Sequence, residues 1–114
     1  MNVRILARWE DDPLESPITL DAMLDPATRL IVGRWKLFGC AGLGTSRVRP
    51  FVLEADGRMD FGEGRADEDR YWRADIRARD ITLGATFEVI WCGGERGRYR
   101  IEKIAEPGSK TGGE

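Results

Sequence analysis

Six carboxylates fall between positions 56 and 69 of this chain: Asp56, Asp60, Glu63, Asp67, Glu68 and Asp69. Paired carboxylates can move protons or hold a hard cation. Arg58, Arg65 and Arg70 are interleaved with them, however, and no Asp-x-Asp-x-Asp-Gly run is present. The pattern is that of a solvated, self-compensating loop, with a carboxylate-based enzyme as the remote alternative. The sequence has no histidine, which removes the commonest general base and metal ligand together. Cys40 and Cys92 form no C-x-x-C pair and have no histidine to activate either thiol, so both read as structural. Residues 39–44 hold three glycines but lack the Gly-Lys-Ser/Thr of a phosphate loop. The expectation is a protein that is not an enzyme, with no catalytic residue, no metal and no cofactor.

A second constellation is basic and aromatic: Arg70-Tyr71-Trp72-Arg73, with Arg77, Arg79, Arg98 and Arg100. Such faces stack bases and neutralise phosphates. Here Trp72 falls on the apolar side of its strand, while Tyr71 and the arginines share the other side with Asp75, Glu88 and Glu102. That arrangement reads as an ion-paired sheet face. The net charge of −2 supplies no field for nucleic acid or an anionic membrane. No apolar run is long enough for a signal peptide or a membrane span, so the expected setting is the cytoplasm with both thiols reduced.

Strands must position these groups. Over residues 80–104, Ile81, Leu83, Ala85, Phe87, Val89 and Trp91 alternate with Thr82, Gly84, Thr86 and Glu88. The chain reverses at Gly93-Gly94-Glu95-Arg96-Gly97 and returns through Tyr99 and Ile101, the pattern of a long hairpin. Val3, Ile5, Ala7 and Trp9 mark a first strand, stopped by Glu10-Asp11-Asp12-Pro13. Ser16-Pro17 predicts a short helix through Ile18, Leu20, Met23 and Leu24, ended by Asp25-Pro26. Further strands are expected at 29–38, 47–55, 58–62 and 70–79, with Asp56-Gly57 as a hairpin turn. Residues 62–69 read as a loop and 107–114 as a disordered tail. The predicted fold is all-β with minor α: one domain over 1–106, a small antiparallel β-barrel or sandwich of six to seven strands with one short helix. The expected core is Trp35, Leu37, Phe51, Leu53, Trp72, Ile76, Ile81, Phe87, Val89, Trp91, Tyr99 and Ile101. Truncating Trp35 or Trp91 to alanine is expected to cost about 3–5 kcal/mol.

Gly33-Arg34-Trp35-Lys36-Leu37 resembles the Gly-x-Trp opening strand of the lipocalins and fatty-acid-binding proteins, the calycin β-barrels. The resemblance implies a barrel with Trp35 at its closed end and a small apolar molecule inside. In lipocalins an arginine of the last strand packs over that tryptophan, a place Arg98 or Arg100 would take here. Three functional readings follow. The first is a non-enzymatic barrel binding a partner protein or small ligand, with Trp35, Tyr71, Trp72, Arg98, Arg100 and the loops 39–46 and 62–69 as contacts. The second is a lipocalin-like carrier, and the third an enzyme working through the 56–69 loop. A homodimer is also expected, because the tethered strand 3–10 can pair with an edge in a second copy. A roomy apolar interior favours the carrier. A filled core with an exposed apolar patch favours a protein partner.

Overall fold

The alternation from Val3 to Ala7 does form a strand, β1 (Asn2–Trp9), with Val3, Ile5 and Ala7 buried. In the computed structural model, which describes residues 1–42, 44–62 and 70–106, it is the first of eight antiparallel strands. The others are β2 (Ile18–Met23), β3 (Leu37–Ala41), β4 (Arg49–Leu53), β5 (Arg58–Asp60), β6 (Tyr71–Ala74), β7 (Thr86–Ile90) and β8 (Arg96–Ala105). Each pairs with the next, and β8 pairs back onto β1 with a bulge between Leu6 and Ala7. The result is a closed up-and-down barrel, all-β with lone 3₁₀ turns, and an architecture compatible with a calycin-like fold. The first strand is occupied on both sides by its own barrel, so the edge invoked for strand exchange is already paired.

The strand count is eight rather than six to seven because the helix expected after Ser16-Pro17 is β2. Ile18, Leu20, Ala22 and Leu24 are all buried, a period of two that outweighs the local helix-start signal. The strand expected at 29–38 is also corrected. Arg29 and Gly33 both have positive φ, 64° and 83°, so the chain turns twice there and β3 starts only at Leu37. Strand 70–79 ends at Ala74 and continues as a 3₁₀ turn, Ile76–Ala78. Leu83 is exposed rather than inward, because a turn closed by Ala85 N–H on the Thr82 carbonyl (3.1 Å) precedes β7. Residues 63–69 and 107–114, with Leu43, lie outside the described residues.

Inward side chains from all eight strands form one hydrophobic cluster. Rings run through it in contact: Phe51 to Phe61, Phe61 to Trp72, Trp72 to Trp91, Trp91 to Tyr99, and Tyr99 stacked on Phe87 at 5.9 Å. An eight-stranded barrel is just wide enough for side chains to fill, and a single buried cluster packs inside this one. Trp35 is not among them: it is 53% exposed, against the expectation of a core anchor. Its indole folds back over Gly33, where an added Cβ would lie 2.2 Å from the ring. Trp91 is half-buried and packs on the rim of the cluster.

Candidate functional site

β2 and β3 pair only from Ile18↔Ala41 to Leu20↔Gly39. Beyond that point the strands part, because residues 24–36 make an excursion pinned by the Leu24↔Ile31 bridge and by Val32 N–H on the Met23 carbonyl (2.8 Å). The gap holds a groove of about 450 Å³ on the outer face, lined by Arg4, Asp21, Met23, Trp35, Lys36 and Phe38 among others. A second groove of about 280 Å³, sharing Arg4, Asp21 and Phe38, extends along Thr19 and Cys40. Phe38 is 67% exposed and Met23 37%, so with Trp35 they present three large apolar side chains to solvent. Arg4 and Asp21 form a two-pronged pair across β1 and β2, Nε–Oδ1 2.7 Å and Nη2–Oδ2 3.0 Å. The far wall is held from behind by Arg77, which donates to the carbonyls of Trp35 (2.8 Å), Leu53 (3.2 Å), Glu54 (3.1 Å) and, at 3.5 Å, Gly33. Burial lowers the pKa of this guanidinium, partly opposed by the charge of Glu54.

The other expected contacts do not converge on this groove. Arg98 and Arg100 both pair with Glu10, at 3.8 and 2.6 Å, and Arg77 bonds the backbone carbonyl of Trp35. Tyr71 lies between the guanidinium groups of Arg58 and Arg70, each 5.0 Å from its ring. Trp72 is buried, its ring edge-on to Phe61 at 4.9 Å. Of the carboxylates, Asp60 is held below its usual range chiefly by hydrogen bonds from Arg70, and Asp56 chiefly by the backbone N–H of Arg58. Each is engaged by a different arginine. The other four carboxylates lie outside the described residues. Gly39, Cys40 and Ala41 belong to β3 rather than to a loop, and Cys40 and Cys92 are free, half-buried thiols.

The reading from sequence passed over one cluster. Trp9 ends β1 and Trp91 follows β7, and their rings meet edge-on at 4.9 Å over Gly97. An added Cβ at Gly97 would lie 2.2 Å from the Trp91 ring, so only glycine admits this packing. Together with Trp72 and Tyr99, these rings line a cleft of about 310 Å³ at the barrel mouth, with Glu15, Ser16 and Glu95 at its rim. The Tyr99 hydroxyl donates to the Ser16 carbonyl (3.2 Å), and Ser16 adopts φ 46° there. Burial is the main cause pushing Tyr99 up to about 12, against a hydrogen bond with Trp91, and the nearby Glu15 charge adds to it. The readable signal was a tryptophan closing each of two inward registers, with a glycine facing them on β8.

No family model matches this chain, and neither a curated protein nor a solved structure does. Among the described residues no three His, Cys, Asp or Glu side chains are grouped as for a metal ion, and no helix is long and apolar enough to cross a membrane.

Proposed function

We propose that this chain is a non-catalytic β-barrel of the cytoplasm that binds a partner protein through its outer face around Trp35 and Phe38. The observation that supports this reading is the contrast between a barrel interior occupied by its own side chains and a groove outside that exposes Trp35, Phe38 and Met23 together. Apolar surface gathered in one patch and rimmed by charge is the usual form of a protein contact. The rim here is Arg4–Asp21 on one side and Lys36 on the other. Aromatic side chains in such a place act as anchors, since they bury much area for little lost rotamer freedom. The calycin likeness of Gly33-Arg34-Trp35 points instead to a carrier. The side chains of Phe51, Met59, Phe87 and Tyr99 sit in the interior that such a molecule would occupy, which favours the partner reading.

A photo-crosslinking amino acid in place of Phe38, with a control in place of the equally exposed Leu83, tests the proposal in growing cells. An adduct of one discrete mass at position 38 and none at 83 is the expected result. Twice the chain mass would identify a second copy as the partner. Adducts at both positions, or at neither, would contradict the reading.

A further inference from the structure

The mouth of the barrel carries a second and independent arrangement. Trp9, Trp72 and Tyr99 stand at 80°, 78° and 67° to the plane of Trp91, so the rings meet as the walls of a box rather than as a stack. Glu15 and Glu95 stand at the rim. Among the described residues neither carboxylate has an ion-pair partner, whereas the neighbouring Glu10 takes both Arg98 and Arg100, and Glu102 takes Arg8. The mouth is therefore an aromatic cleft with two carboxylates at its rim that take part in no ion pair among the described residues. Aromatic faces attract cations through their quadrupole, and best attract those that are weakly hydrated. The barrel already uses this attraction at one wall of the cleft, where the Arg49 guanidinium lies 4.2 Å from the centre of Phe61 and 5.2 Å from that of Trp72. A cleft of about 310 Å³ is at the small end of ligand sites and suits one headgroup rather than an extended molecule.

We infer that the cleft at Trp9 and Trp91, floored by the buried rings of Trp72 and Tyr99, binds a methylated ammonium group, with Glu15 and Glu95 balancing its charge. A bare ammonium keeps its water more tightly, so methylation lowers the cost of entering the rings. The same headgroup is found on a free quaternary amine and on a methylated lysine side chain.

Calorimetric titration of the full chain with choline, with N-trimethyllysine amide and with 3,3-dimethylbutan-1-ol, the neutral isostere of choline, tests this. Saturable binding of both cations is expected, with the neutral alcohol about tenfold weaker or more, as loss of the cation–ring attraction implies. Equal affinity for the two cations would assign recognition to the headgroup alone. Preference for the lysine derivative would assign it to a modified protein side chain. Glu15→Gln with Glu95→Gln alters only exposed side chains, so the fold should persist, and the cations should bind about fivefold or more weakly. Binding of the alcohol as tight as that of choline, no saturable binding of either cation, or unchanged affinity in the double variant would overturn the inference.

Discussion

The two ends of this barrel are closed by different physics. At one end the chain straps itself down with polar contacts. The Met1 ammonium donates to the Leu24 carbonyl (2.7 Å), Ile81 and Arg29 exchange hydrogen bonds of 2.8 and 3.1 Å, and Arg77 gathers four carbonyls. At the other end rings meet edge to edge, with Tyr99 tied to Ser16 as the polar handle. Hydrogen bonds are directional and leave costly unpaired groups when broken, so a strapped end has one conformation. Ring contacts vary smoothly with angle, so a ringed end can admit a guest and adjust around it. The same contrast accounts for the outer groove. The straps that close the first end draw residues 24–36 away from β2, and the space they leave is where Trp35 and Phe38 emerge.

Breaking the strapped end has the largest expected effect. Arg77→Met removes the charge-assisted donors of four carbonyls and should cost about 2–3 kcal/mol in urea unfolding, with Arg77→Lys recovering only part. A loss under about 0.5 kcal/mol would mean that the strap is ornamental. Crowding the ringed end comes next. Gly97→Ala pushes a methyl into Trp91 and should cost about 1–3 kcal/mol, together with a changed near-ultraviolet dichroism of the tryptophans. Trp35→Ala, beside the strapped end, should cost about 1 kcal/mol or less, because half of the side chain is already in water. A cost of about 3–5 kcal/mol would return Trp35 to the core.

A separate test of the ringed end is its response to pH. Tyr99 ionises at about 12 in the folded protein, against about 10 when unfolded. The folded value is the higher one, so the associated stability is fully present below about pH 10 and is lost as pH rises towards about 12. Melting temperature followed over that window should fall less steeply in Tyr99→Phe than in the wild type. Parallel curves would show that Tyr99 does not titrate differently in the two states.

Legibility from sequence followed the same division. β1, β7, β8 and the Asp56-Gly57 turn were readable because each is decided locally, by a period of two or by a turn dipeptide. β2 was misread because Ser16-Pro17 resembles a helix start, although Ile18, Leu20, Ala22 and Leu24 carried the strand period. Trp35 was misplaced because its strand register seemed continuous, and two positive-φ residues upstream interrupt it. The mouth was missed because Trp9 and Trp91 come from opposite ends of the chain and meet only when β8 closes against β1. Ring closure is a property of topology, and no local window contains it.

The central claim is that core side chains occupy the barrel interior and that a protein partner binds on the outer face, and the three methionines test it directly. Met59 is buried inside, Met23 lines the outer groove and Met1 belongs to the strapped end. With ¹³C-labelled methionine methyl groups, the spectrum is recorded during titration with a medium-chain fatty acid. The expected result is a Met59 resonance that stays fixed to the end of the titration. A saturable shift of Met59 would reveal a chamber among the core side chains, and the account of a filled barrel that binds on its outer face would fail.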